Sequence, residues 1–206
     1  GTGAAPVEFA DHVGYPLIDG LLLVHNTLVG LNIRNDIRIV ASGKIISAFD
    51  IAKICALGAD MCNSARGFMF ALGCIMAQAC HTGHCPTGVS TQDKHRQKAL
   101  DPENKSERVY NFHKNTLKAL AELLATAGLA HPRDMQAHHI SRRMGDQSVA
   151  LLSEVYSFVK PGELLKGKRP GKLFEQYWDV ASETSFRTAD LCWFSGLKTG
   201  AASQTL

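Results

Sequence analysis

The stretch "DIRIVASGKIISAFDIAKICALGADMCNSARGFMFALG", Asp36 to Gly73, decides the fold. Ile37, Ile39 and Val40 mark a short buried strand that breaks at Gly43. Ser47 and Asp50 then make an S-x-x-D capping box, whose hydroxyl and carboxylate take free amides of a first helical turn. Ile51, Ile54, Cys55 and Leu57 give that helix an apolar face, and Gly58 stops it. "ADMCNSAR" reads as a second strand and "GFMFALGCIMAQ" as the helix after it. Upstream, "PLIDGLLLVHNTLV" from Pro16 to Val29 reads as an amphipathic helix ending near Gly30. Helix, strand, helix, strand, helix with short joints predicts parallel strands with crossover helices, an α/β protein. Two strands cannot close a barrel, so earlier strands of the domain are expected upstream of this sequence.

Parallel α/β folds collect ligands at the C-terminal ends of their strands, where helix N-termini present free amides. Two such ends occur in succession. At "ASGKIIS", Gly43 lets backbone approach a ligand and Ser47 opens a helix; at "NSARG", Ser64, Ala65, Arg66 and Gly67 open the next. A phosphate dianion would gain from both helix ends and from the guanidinium fork. Lys44 adds a cation that faces either the phosphate or water. The plainer reading makes Gly43 a turn glycine and Arg66 a surface residue, since a short glycine turn is a weak signal.

Directly after these ends, "GCIMAQACHTGHCPTGVSTQD" sets Cys74, Cys80 and Cys85 within twelve residues, with Pro86 following the last. Structural zinc favours paired C-x(2–4)-C knuckles, which are missing here, although His81 or His84 could complete a Cys3His set. Disulfides would leave an odd thiol. An iron–sulfur cluster suits the loose spacing and the trailing proline better, and three thiolates point to a three-iron, four-sulfur core. His81, Thr82 and His84 would then lie close enough to tune it. Zinc remains the competitor on spacing.

Composition sets the outer bounds. The 206 residues are 45% hydrophobic and 20% charged, ordinary values for a globular protein of one or two domains. A net charge of +3 argues against a nucleic-acid surface, and the basic run Lys166 to Lys172 reads as a solvated loop. Gly67 to Gln92 lacks Asp, Glu, Lys and Arg, but its purely apolar part is about ten residues, too short to span a bilayer. Six cysteines and no secretory pattern predict reduced thiols in a cytoplasmic setting, with Cys55 and Cys62 as packing groups and Cys192 uninformative. Further on, Ser106 to Ala127 reads as a helix with Val109, Phe112, Leu120 and Leu124 on one face. Another helix is expected over Gln147 to Val159, stopping before Pro161, and the last forty-odd residues carry no clear assignment.

Taken together, "GTGAAP", "HNTLVGLNIRNDIRIVASGKIISAFDIAKICALGAD" and the cysteine stretch with its Pro-x-Gly-x-x-Thr-Gln-Asp tail resemble the C-terminal half of the FMN-binding synthase domain of the glutamate synthase family. The resemblance is firm over 1–130 and weaker over 131–206, which is expected to form a helical and irregular extension. It implies the last strands and helices of a (β/α)8 barrel, FMN, and a three-iron, four-sulfur cluster held by Cys74, Cys80 and Cys85. It also implies that Gly1, Thr2 and Gly3 form the loop after the sixth strand, near the flavin. Gly43 matches the glycine after the seventh strand, and Ser64, Ala65 and Arg66 fall at the end of the eighth, where the FMN phosphate is held. Lys44 stands where the family carries a second glycine, and Ala48 where it carries a later one.

The implied reaction joins ammonia or glutamine nitrogen to 2-oxoglutarate and reduces the imine to L-glutamate. Electrons would come from ferredoxin or an NAD(P)H-dependent partner. The family's catalytic lysine and acidic residues and its glutaminase domain find no counterpart in this sequence. Because such a barrel takes about 250 residues, the piece alone is expected to be incomplete and inactive. Two alternatives are an oxidoreductase of the same fold acting on another substrate and a non-catalytic metal-binding module.

Overall fold

Val40 and Met61 lie side by side as register partners, followed by Ala41 with Cys62 and Ser42 with Asn63, in a parallel pair of strands. This pair organises the computed structural model, which describes residues 5–184. The chain enters through α1 (Val7–His12) and α2 (Leu17–Gly30), forms β1 (Val40–Ser42), crosses over through α3 (Ala48–Ala56) and returns as β2 (Met61–Asn63). It continues into α4 (Ala65–Leu72). The strand–helix–strand unit expected from the sequence is therefore present, as a mixed α/β arrangement. Its two-stranded sheet is not itself a barrel.

The helix α3 starts where its capping box says it should. The Asp50 N–H donates to the Ser47 hydroxyl at 3.1 Å, and the Ser47 N–H donates to the Asp50 carboxylate at 3.0 Å. Only one face of the β-pair is covered. Ala41 is buried against the helices, whereas Val40 and Met61 are about half exposed on the other face. The expected strand at Ile37 to Val40 is thus shifted: it runs from Val40 to Ser42, and Ile37 is exposed. The reason lies at Asp60, whose carboxylate accepts the Ile39 N–H at 2.8 Å in place of a ladder partner.

The helix after Arg66 is also shorter than expected. Gly73, at φ +108°, lets the Cys74 N–H turn back to the Met69 carbonyl at 3.0 Å. A left-handed glycine closes the helix in this way, so Cys74 to Gln78 lie outside it. After the cysteine loop come α5 (Lys94–Gln97) and the long α6 (Pro102–Thr126). Leu120 and Leu124 of α6 are buried in the same core as Leu21, Ile45, Ile54 and Leu57.

That core continues past residue 130, since Met135, Ala137, Ile140 and Leu152 belong to it. Here the expected helix over Gln147 to Val159 gives way to a hairpin of β3 (Ser141–Arg143) and β4 (Val149–Leu151), followed by the single turn α7 (Leu152–Val155). The Leu151 N–H is taken by the Glu154 carboxylate at 2.8 Å, which starts the helix only at residue 152. The chain then runs under α2, where buried Asn26 donates to the Ser157 carbonyl at 2.9 Å and accepts the Val159 N–H at 3.2 Å. Leu164 sits so close to Gly30 that a Cβ there would lie 2.5 Å from its side chain. A short α8 (Lys172–Tyr177) brings Phe174 against Val159 and Leu164. None of the helices among the described residues is long and apolar enough to cross a membrane.

Candidate functional site

The two strand ends meet physically. The Ser64 hydroxyl, at the end of β2, donates to the Ile45 carbonyl in the turn after β1 at 2.8 Å. Gly67, buried in the first turn of α4, has no room for a Cβ, which would lie 2.7 Å from Phe112 and 3.1 Å from the Ile46 carbonyl. Because the Ser64 side chain is turned toward Ile45, no side chain caps the first turn of α4. Its amides stay available beside exposed Ala65 and half-buried Arg66. Such an end carries partial positive charge and suits an anion.

The turn after β1 needs unusual backbone. Gly43 takes φ +153° and Lys44 φ +55°, the left-handed region in which a side chain is strained. Lys44 pairs with Asp11 of α1, and the Arg66 charge is felt at the same carboxylate. The two strand-end turns adjoin through the Ser64–Ile45 bond, and at the first of them Lys44 is paired with an acid that sequence reading missed. No motif marks Asp11, because its role depends on where α1 lies. A cavity of about 360 Å³, within the range of small-molecule sites, opens beside this turn and is lined in part by Leu17, Asp19, Gly43, Lys44, Lys53 and Tyr156. Asp50 at its edge is titrated in two directions: burial raises its carboxyl, while the Ser47 amide and hydroxyl, the Ile46 N–H and Lys53 hold it below the usual range. Gly1, Thr2 and Gly3 lie outside the described residues.

The cysteine loop begins where α4 ends. Cys74, Cys80 and Cys85 all line one narrow cleft of about 10 Å³, with Ile75, Pro86 and Thr87 beside them. The Met76 N–H donates to the Cys74 sulfur at 3.4 Å, with Met76 and Gln78 both at left-handed φ. At buried Cys85, desolvation raises the thiol. The Thr87 hydroxyl and the N–H groups of Ser90, Thr87 and Val89 outweigh that and bring it down to about 7. The loop is pinned from behind: a Cβ at Gly88 would lie 2.3 Å from the Arg96 carbonyl of α5, and Gln97 donates to the Thr91 carbonyl at 2.8 Å.

Three thiols on one cleft, with N–H donors directed at the Cys85 sulfur, are a donor set that an iron–sulfur cluster could use. Among the described residues, no three His, Cys, Asp or Glu side chains converge closely enough to hold a single metal ion. His81 and His84 are exposed and do not line the cleft, so no Cys3His site is assembled. N–H donors on a cysteine sulfur favour its thiolate form, the form in which a cysteine binds metal. Thr82, expected to tune such a group, instead uses its hydroxyl within its own turn, donating to the Ala79 carbonyl at 2.8 Å. Thr87 and Ser90 occupy the place that Thr82 was expected to fill. The Cys-Pro-Thr-Gly-x-Ser order was the available signal for them, because amides two to five residues past a cysteine can curl back onto its sulfur.

Cys55 and Cys62, read as packing groups, lie on α3 and β2. Cys55 is buried and Cys62 half-buried.

A parallel strand–helix–strand unit, with two adjacent strand ends and a cleft lined by three thiols one helix away, defines a mixed α/β protein. The model of the conserved region in glutamate synthase matches residues 1–130, and the chain belongs to that family. It is 41% identical over 160 residues to the glutamate synthase large subunit-like protein YerD of Bacillus subtilis, covering 77% of this chain and 30% of that protein. It is 43% identical over 129 residues to the archaeal glutamate synthase (NADPH) of Methanocaldococcus jannaschii, covering 63% of this chain and 25% of the relative. Against the glutamate synthase (NADH) of Saccharomyces cerevisiae it is 28% identical over 174 residues, or 84% of this chain and 8% of the yeast protein. The chain therefore spans under a third of the length of these relatives.

Proposed function

We propose that this chain is the FMN-phosphate and iron–sulfur portion of a glutamate synthase-type oxidoreductase, the last part of a (β/α)8 barrel. The whole enzyme would form L-glutamate from 2-oxoglutarate and ammonia or glutamine nitrogen. Family membership supports the reaction class. The observation that carries the cofactor reading is the thiol cleft of Cys74, Cys80 and Cys85 at one end of α4, whose other end is the strand-end site.

When bound, FMN supplies hydride transfer and the cluster single-electron transfer. The chain's own part is placement and charge. Gly43 keeps the turn after β1 free of a side chain, and Lys44, Arg66 and the uncapped first turn of α4 offer positive charge to a phosphate. Ser64, Ala65 and the Ser64–Ile45 bond hold the two strand ends in register. Gly1, Thr2 and Gly3 would complete the flavin site from the segment preceding α1. At the other end, Thr87, Val89 and Ser90 favour the thiolate form of Cys85, and Cys74 and Cys80 would supply the remaining ligands. The 8-residue helix α4 separates the two sites, a span of about 12 Å. Such a distance suits electrons entering from ferredoxin or an NAD(P)H-dependent partner through the cluster. A cytoplasmic enzyme without a nucleic-acid partner, and with no membrane-spanning segment among the described residues of this chain, fits the charge and the thiols.

Electron paramagnetic resonance on the oxidised, anaerobically purified intact protein tests the cofactor reading. A three-iron signal with one FMN per chain is expected; zinc without iron would overturn it. Glutamate formation from 2-oxoglutarate with ammonia or glutamine and a reductant tests the reaction. Bound flavin and cluster without glutamate formation would point to another substrate on the same fold.

A further inference from the structure

We propose that Asp11 is a carboxylate placeholder in the strand-end anion site, holding Lys44 until a phosphate group displaces it and thereby setting which anions the site retains. The inference rests on the reading of that site as phosphate-binding and adds a residue that decides its selectivity.

Three observations converge on it. Lys44 and Asp11 form an ion pair, and both side chains are partly exposed. The Lys44 hydrogen bond holds the Asp11 carboxyl below its usual range, and the charges of Lys44, Arg66 and His12 add to this against a smaller opposing effect of burial. Asp11 therefore sits in the field of both cations that the two strand ends contribute. Finally, Lys44 occupies a left-handed backbone position that glycine would fill without strain, so the cation stands there at a conformational cost.

A carboxylate brings one negative charge and two acceptor oxygens. A phosphate monoester brings close to two charges and three acceptor oxygens. Two cations and the free amides of α4 therefore favour the phosphate over Asp11, while Asp11 outcompetes monoanions.

The test uses flavin-stripped intact protein, titrated by calorimetry with inorganic phosphate, acetate and FMN. Asp11→Asn is expected to bind phosphate and FMN about two- to five-fold more tightly, the range an exposed ion pair can supply. It should also gain measurable acetate binding. Asp11→Ser should behave alike, and Asp11→Asn with Lys44→Gln should cancel the gain. Unchanged or weaker phosphate binding in both Asp11 variants, where the unaltered protein binds phosphate, overturns the placeholder role and leaves the site standing. Failure of the unaltered protein to bind either phosphate or FMN overturns the site and the placeholder together.

Discussion

The Ser64 hydroxyl donates to the Ile45 carbonyl across 2.8 Å, tying the end of β2 to the turn after β1. Removing it with Ser64→Ala frees the hydroxyl's partner and lets the two turns move independently. The expected cost is about 1 kcal/mol of stability, with weaker FMN binding by the intact protein. Urea unfolding and flavin fluorescence titration read the two effects separately. An unchanged flavin affinity would mean that the strand ends do not share a ligand.

Lys44→Gly separates conformational strain from charge. The left-handed backbone at φ +55° suits glycine, so the substitution relieves strain of about 1 kcal/mol, partly offset by glycine's greater freedom in the unfolded chain. Thermal stability is expected to stay level or rise slightly. Phosphate and FMN affinity should nevertheless fall, because the cation at the strand end is gone. A parallel loss of stability would show that Lys44 serves the fold rather than the anion.

Acid titration should reveal two separate steps. His25 lies under Gly58, and the Arg34 Nε–H donates to its Nδ1 at 3.2 Å. Burial first, and then the Arg34 charge, lower its pKa from the ordinary value. Its contribution to stability is complete above about pH 6.5 and is lost as the pH falls through the lower folded value. At Asp60, burial raises the carboxyl, while the Ile39 N–H and the Arg34 guanidinium, 2.8 Å away, hold it below the usual range. That contribution is complete above about pH 3.9 and is lost as the pH falls through the folded value. Melting temperature against pH should therefore drop first below neutrality and again in strong acid. His25→Asn should remove the first step alone, and a curve retaining both steps would refute the assignment.

What the sequence disclosed followed local chemistry. The capping box at Ser47 and Asp50, the stop at Gly58 and the parallel order of the strands all depend on residues within a few positions of each other, and each is found in place. The cysteines share a cleft because a single loop carries them. The errors arose where distant partners decide. Gln147 to Val159 has helical composition, yet pairing of Val149–Leu151 with Ser141–Arg143 and capture of the Leu151 N–H by Glu154 override it. Asp11 was invisible because nothing near it in sequence announces Lys44. The half-exposed Val40 and Met61 were read as buried, or passed over, because an α/β pattern implies a covered sheet, whereas one face of this pair is bare.

Asn26 tests how firmly the C-terminal segment is joined to the first part of the chain. It is the one buried polar residue identified in the core of the described residues, and both its amide oxygen and its amide nitrogen are used, on Val159 and Ser157. Asn26→Ala leaves the Val159 N–H without a partner in an apolar setting, a loss of about 1–3 kcal/mol. The loss should be local as well as global, since Asn26 links two elements 131 and 133 residues apart in sequence. Limited proteolysis of the variant is therefore expected to cut first between residues 156 and 164, with the strand-end and cysteine loops still protected. Uniform cleavage throughout the chain would mean that the segment folds and unfolds with the α/β core as one unit, and that Asn26 contributes only to the common stability.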